Sequence, residues 1–354
     1  MRIVRSAVVL VLALTGCAPV VSERPTSIVM LIADGAGPAH WTLALNANPD
    51  LAVQRMSSVG LVDTRGADHT VSGSAPTATA YATGVRSRMG YVGVDADGRP
   101  VRTVLEEAMR RGKSTGLITT TAIVDATPAS FAAHNTSRAA SGDIARQMGT
   151  AGVTVLMGGG RFAFGPSVQP DGRDLLADLR GEYTYVESVE ALRRVDADTV
   201  SALLGLFAEG DMGIVEERGD ALAVMTSKAL DILGRDPDGF FLMIENEESD
   251  TQAHRNASED VLTQEMLDFD AAVDQVLEFQ ARNPGTLVVV TSDHETGGVA
   301  LLYDGDREIV MHYPSTAHTG VLVPLFASGP GAERFSGILR NDRVGQILKE
   351  LVRD

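Results

Sequence analysis

Short, wholly apolar runs recur along this chain and alternate with stretches of helical spacing. Ser27 to Ala33 (SIVMLIA) reads as a buried strand, as do Thr115 to Thr120, Val153 to Met157, Phe240 to Ile244, Leu287 to Thr291 and Val321 to Ala327. Val104 to Arg110, Leu222 to Leu233, Val261 to Arg282 and Val344 to Val352 read as helices. Strands with no polar alternation are covered on both faces. The expected class is therefore α/β, a mostly parallel central sheet with helices on both sides. Ser167 to Val200 lacks the pattern and reads as a peripheral excursion. No repeat or low-complexity linker divides the chain, so one catalytic domain is expected over residues 26–354.

The first residues read as a targeting segment rather than as part of that domain. Arg2 and Arg5 precede an apolar run from Val8 to Leu14, which is too short to span a bilayer. Leu14-Thr15-Gly16-Cys17 follows, and it resembles a bacterial lipoprotein cleavage site at which the cysteine is lipidated. The expectation is a signal peptide over residues 1–17 and an exported, periplasmic lipoprotein held to the membrane by lipid at Cys17 alone. A plain secretion signal removed together with Cys17 is the other reading. Cys17 is the single cysteine, so no intrachain disulfide forms.

Formal net charge is −17 over 354 residues, and the leader holds no acid, so the exported part is more acidic still. Such a surface repels nucleic acid and anionic membrane. It also repels anionic substrates unless the site supplies its own positive charge. Aromatic residues make up only 5%, which speaks against a stacking surface for single-stranded nucleic acid.

In open parallel sheets, ligands sit beyond the carboxyl ends of the strands. Asp34, Glu245 and the pair Asp293-His294 all fall just after strand runs. Asp34 alone is as often a helix cap. Asp250 and His254 are four apart, on one face of a helix, as a shared metal ion needs. With Glu247 and Glu248 beside them, that segment reads equally well as a solvated acidic turn. His318 precedes the last strand, where a lone histidine is more often structural. Together these residues offer nitrogen and oxygen ligands for two Zn²⁺ and a harder Mg²⁺. Ser74 opens a small-residue helical run that ends at Thr83 before Gly84. A serine at a helix N-terminus faces a site that favours anions, or simply caps the helix.

Gly73-Ser74-Ala75-Pro76-Thr77-Ala78-Thr79-Ala80-Tyr81-Ala82-Thr83-Gly84-Val85 resembles the nucleophile segment of the alkaline phosphatase family. Gly93-Val94-Asp95 matches as well, and so does Asp125-Ala126-Thr127-Pro128-Ala129 followed by Ala133-His134 and Arg138. The resemblance runs from about Ile28 to Gly331. It implies hydrolysis of phosphate monoesters through a phosphoserine at Ser74, with small phosphorylated substrates and a homodimer as the family's common state. It implies that Asp250, His254 and His318 hold one zinc, and that Asp34, Asp293 and His294 hold the other. Asp34 would bridge to Mg²⁺, completed by Thr127 and Glu245, with Asp125 behind those ligands. Arg138 would grip phosphate with its planar fork. His40, His69, His134 and His312 match no ligand position. The rival expectations are a phosphodiesterase or sulfatase of the same superfamily, and a non-catalytic lipoprotein that captures phosphate or metal.

Three departures from the family stand out. Many members carry Asp immediately before the nucleophile, where it orients the arginine; here that position is Gly73. Some carry Lys, His or Trp directly after the acid matching Asp250; here it is Thr251. Only Glu295 to Ala317 separates Asp293-His294 from His318, which predicts a more open site and broad substrate acceptance.

Overall fold

The computed structural model describes residues 24–305 and 309–353. The expected leader and Cys17 lie outside the described residues. The strands are β1 (Ser27–Ala33), β2 (Ser58–Asp63), β3 (Ser114–Ala122), β4 (Val155–Gly159), β5 (Thr184–Val186), β6 (Leu203–Leu206), β7 (Phe240–Asn246), β8 (Thr286–Thr291), β9 (Glu295–Thr296), β10 (Ala300–Tyr303), β11 (Ile309–His312), β12 (His318–Thr319), β13 (Val323–Ser328) and β14 (Gly337–Arg340). The helices are α1 (Pro38–Ala47), α2 (Ser74–Thr83), α3 (Val104–Arg110), α4 (Ala126–Ala132), α5 (Ser141–Thr150), α6 (Leu175–Leu179), α7 (Val189–Arg193), α8 (Val215–Arg218), α9 (Ala221–Leu233), α10 (Glu248–His254), α11 (Glu259–Arg282) and α12 (Asn341–Arg353).

Ten strands form one sheet in the order β14-β2-β13-β8-β1-β7-β3-β4-β6-β5. β13 is antiparallel to both of its neighbours; every other pairing is parallel. The mostly parallel α/β expectation holds. Strand β1 shows why its sequence is wholly apolar. Ile28, Met30 and Ile32 pack into one core, and Val29, Leu31 and Ala33 into the core on the opposite face. The first core is closed by α2, α3, α4, α5 and α12 through Tyr81, Leu105, Phe131, Ile144 and Ile347. The second is closed by α1, α9 and α11 through Trp41, Met225, Phe269 and Val273. Period-two alternation inside a double-sided core leaves no polar position to show.

Some elements differ from the sequence expectation. The last expected strand begins two residues later, at Val323. The stretch expected to be irregular holds α6, β5 and α7, all short, with β5 on the far edge of the sheet. β2 went unread because it alternates: Val59 and Leu61 point outward, 62% and 36% exposed.

Strands β8, β1, β7 and β3 are consecutive neighbours in the sheet and run in the same direction. Their carboxyl ends lie side by side, and the chemistry collects there. Asp34 follows β1, Glu245 lies near the end of β7, Asp293 and His294 follow β8, and α4 follows β3.

Candidate active site

The nucleophile candidate is the first residue of α2, a helix whose ten residues are all buried. Ser74 Oγ lies 3.4 Å from His294 Nε2. The same nitrogen is 3.4 Å from Asp34 Oδ1 and 3.2 Å from Asp293 Oδ2. Asp293 is oriented by the chain itself: its Oδ1 accepts from the backbone N–H of Gly35 and of His294, at 3.1 and 3.0 Å. Its Oδ2 is buried and accepts no hydrogen bond, and neither does Asp34 Oδ1. Asp34, Asp293 and His294 thus converge as one ligand set.

A second set stands beside it. His254 Nε2 is 3.3 Å from Asp250 Oδ2 and 3.0 Å from His318 Nε2. His318 Nε2 is 3.7 Å from Asp250 Oδ1. Both rings are set from behind by backbone carbonyls. His254 Nδ1 donates to Thr316 at 2.6 Å and His318 Nδ1 to Ser72 at 2.8 Å. With both Nδ1 atoms bonded to carbonyls, the two Nε2 atoms face each other beside Asp250, an arrangement in which a shared cation can take the place of a proton. His294 links the two sets: its ring stacks on His318 with centroids 3.6 Å apart, and its Nδ1 is 3.9 Å from Asp250 Oδ1. Asp250 and His254 lie on α10, four apart as expected, so the solvated-turn reading fails. Glu248 and Asp250 are only 1% and 7% exposed.

The close approach of α10 to β1 depends on Gly35. Its φ is +69°, and a Cβ there would sit 2.8 Å from the Asp250 Cα. Any side chain would push the two sets of ligands apart.

A third group uses only oxygen. Glu245 is wholly buried, and its Oε2 accepts from Thr119 Oγ1 at 2.5 Å while its Oε1 has no partner. Thr127 Oγ1, on α4, is also buried without one. Arg138 Nη2 binds Asp125 Oδ2 at 2.7 Å, and the arginine side chain is 40% exposed, within reach of a ligand from solvent. Asp125 thus supplies the orienting partner that Gly73 cannot. A Cβ at Gly73 would meet Met89 Cε at 3.2 Å, so Met89 borders the space a larger residue would use.

The electrostatics follow from this crowd of acids. Burial, with Asp293, Asp250 and Glu245 close by, raises the Asp34 carboxyl well above the usual range. Burial pushes Glu245 up to about 8, against the Thr119 hydrogen bond and with help from Asp125. Asp250 goes the other way. Burial opposes its charge, but His254, His294 and His318 hold it below the usual range. The Asp250 hydrogen bond lifts His254 to about 9. Buried acids that repel one another and turn bare oxygens inward fit a site built for cations. The oxygen-only group suits a hard ion, and the two histidine-bearing sets suit zinc.

Every residue expected from the sequence lies in this one region. Three supporting residues were missed. Thr119 holds Glu245, Thr296 Oγ1 donates to Asp250 Oδ1, and Tyr81 Oη donates to the Ser292 carbonyl at 2.7 Å. Thr296, two residues past His294, was the one within reach of the motif. Thr119 is hidden in a strand run and Tyr81 in a helix buried all round. Of the histidines matching no ligand position, His40 is wholly buried in the first turn of α1, and burial lowers it to about 4.

The alkaline phosphatase family model matches residues 26–313. The chain belongs to the alkaline phosphatase family. It is 29% identical to alkaline phosphatase 4 of Bacillus subtilis, over 92% of this chain and 88% of that protein. It is 30% identical to the alkaline phosphatase of Escherichia coli, over 90% and 84%. Among solved structures, the alkaline phosphatase of the Antarctic bacterium TAB5 superposes with a TM-score of 0.87 at 30% identity, covering 93% of this chain and 98% of that one. A variant of the TAB5 enzyme, with the same TM-score at 31% identity, is described with Mg bound in its M3 site. This chain is thus an enzyme that hydrolyses phosphate monoesters, and it carries clusters fit to hold metal ions.

Proposed function

We propose that the reaction runs through a phosphoserine at Ser74, in a site that takes two Zn²⁺ and one Mg²⁺. The observation that carries this reading is the convergence of bare, buried oxygens of Asp34, Asp293, Glu245 and Thr127 around a serine at a helix N-terminus. Asp250, His254 and His318 would hold one zinc, and Asp34, Asp293 and His294 the other. Asp34, Thr127 and Glu245 would hold Mg²⁺, with Asp125 behind them. When bound, these ions lower the pKa of the attacking oxygen and neutralise charge on the transferring group. The chain's own residues do the rest. Ser74 presents Oγ for in-line attack from a rigid, buried helix. The α2 N-terminus favours the incoming anion. Arg138, held by Asp125, offers two parallel N–H donors to the phosphoryl oxygens. The Ser74 oxygen forms the P–O bond as the alcohol leaves, and water then cleaves that ester to free phosphate and regenerate the serine.

The catalytic unit on this reading spans residues 26–354, and the leader exports it with a lipid on Cys17. Among the described residues no helix is long and apolar enough to cross a membrane.

The test is hydrolysis of nitrophenyl phosphate by wild type and Ser74→Ala, each stripped with chelator and reloaded with Zn²⁺ and Mg²⁺. Chelator should abolish wild-type turnover and the metals restore it. Ser74→Ala, fully reloaded, should lose at least about a thousandfold in kcat. Near wild-type turnover in that variant would remove the covalent route. Turnover indifferent to chelator would remove the metals.

A further inference from the structure

Among the described residues, four buried carboxylate oxygens accept no hydrogen bond: Asp34 Oδ1, Asp293 Oδ2, Glu245 Oε1 and Glu247 Oε2. Three belong to residues assigned above as metal ligands. The fourth does not, and neither the family motif nor the ligand count asks for it. A bare buried carboxylate oxygen is costly, because its desolvation is returned only by a donor or a cation.

Glu247 is the residue just before α10, two positions past Glu245. Its side chain is fixed on its other oxygen: Thr251 Oγ1 donates to Oε1 at 2.5 Å. Its backbone N–H donates to Thr120 Oγ1 at 3.0 Å, and Thr120 adjoins the Thr119 that holds Glu245. The Glu247 carboxylate lies close enough to Asp34, Asp125 and Asp250 for their charges to act on one another. Thr251 follows Asp250, where some family members carry a basic or aromatic residue. In this chain that position is used to steady an acid. Glu248 is a useful contrast: the more buried of the two, it is satisfied within α10 by Gln252 Nε2 at 2.7 Å.

We propose that Glu247 is a positioning residue for the hydrated Mg²⁺, its Oε2 accepting from water on the ion that Asp34, Thr127 and Glu245 hold. Mg²⁺ sheds water reluctantly and keeps several waters when few protein ligands reach it. Acceptors for those waters then set its affinity and its placement. Partners behind the ligands typically contribute about 10–100-fold in metal affinity. This inference rests on the three-ion reading of the site.

The experiment is calorimetric titration of Mg²⁺ into zinc-loaded protein, with the Mg²⁺-induced rise in Tm as a second readout and zinc content checked by elemental analysis. Glu247→Gln keeps the shape and the Thr251 hydrogen bond but removes the charge. It should raise the Mg²⁺ Kd about tenfold or more and shrink the Tm rise, with zinc content and the metal-free Tm unchanged. Thr251→Ala, which frees Oε1 only, should weaken Mg²⁺ by a smaller factor and serves if Glu247→Gln does not fold. Glu248→Gln should leave the Kd as in wild type. An unchanged Kd in Glu247→Gln, with or without a lower metal-free Tm, would make Glu247 a packing residue and overturn the proposal. An equal loss in Glu248→Gln would overturn it too. A wild type that binds zinc but no Mg²⁺ would instead bring down the three-ion reading, and this inference with it.

Discussion

Glu107 on α3 and Glu245 on β7 are both wholly buried glutamates in the same molecule, and their surroundings are opposite. Glu107 is ringed by arginines. Arg110 Nη2 lies 2.7 Å from its Oε1, Arg111 Nε 3.4 Å, Arg353 Nε 3.7 Å, and Arg102 Nη1 is 3.7 Å from its Oε2. The Arg110 hydrogen bond leads in holding its carboxyl below the ordinary value, with burial opposing. Among the described residues no cationic side chain pairs with Glu245. It has one threonine hydroxyl, a bare oxygen and acids nearby, and burial raises it to about 8. Burial alone therefore does not mark function here. A buried acid whose charge the chain answers is holding helices together. One whose charge the chain leaves unanswered is a candidate to hold an ion.

The largest expected effect comes from removing the unanswered charge. Glu245→Gln should lose Mg²⁺ binding by about a hundredfold or more, beyond the usual effect of residues behind the ligands, and turnover should fall with it. In metal-free protein the same change should not lower Tm, because a group raised to about 8 is mostly the neutral acid near pH 7 and the amide replaces it in shape. Titration calorimetry and thermal melts with and without metal check both halves. A large drop in the metal-free Tm would break the comparison, since Glu245 would then be structural like Glu107. The next effect in size is Thr119→Val, which takes away the hydroxyl that donates to Glu245 Oε2. Its Mg²⁺ Kd should rise about tenfold while zinc content stays constant. An unchanged Kd would mean that the strand backbone alone places the carboxylate.

Much of this was legible in the sequence, for reasons that name what was not. β1, β7 and β8 announced themselves because burial on both faces forbids polar residues along them. Asp34, Glu245, Asp293 and His294 stood out as candidate ligands because a parallel sheet puts them just past those strands, whereas Thr127 and Arg138 entered only through the family resemblance. β2 alternates and carries apolar residues on its exposed face, and β5 and β14 are short edge strands, so none of the three has a run to read. The helix α2 was legible from its small-residue run between Ser74 and Gly84, but α4 is buried all round and so short that no polar face outlines it. The acidic stretch at Glu247 and Glu248 was the hardest case. Solvated and buried glutamates spell the same letters. What separates them is whether Gln252, Thr251 or nothing stands opposite each oxygen, and only the packed structure carries that.

The smallest expected effect belongs to Glu107→Gln. The arginines around it are 42–57% exposed, so water weakens each pair, and the substitution keeps an acceptor for Arg110. The loss should be about 1–2 kcal/mol, lowering Tm by about 2–4 °C, with Mg²⁺ affinity, zinc content and turnover as in wild type. The dependence on pH gives the sign. A carboxyl whose folded pKa lies below its ordinary 4.5 contributes stability that is fully present above that value. That contribution is lost as pH falls through the folded value. The Tm gap between wild type and Glu107→Gln should therefore be steady from about pH 7 to about pH 5 and close as the buffer is taken toward about pH 3. Paired melts across that range check it. A gap that persists at the acid end would show that packing between α3 and α12, not charge, is what Glu107 supplies. A fall in Mg²⁺ affinity would show that the two glutamates are coupled across the core, and the contrast between them would no longer separate structure from function.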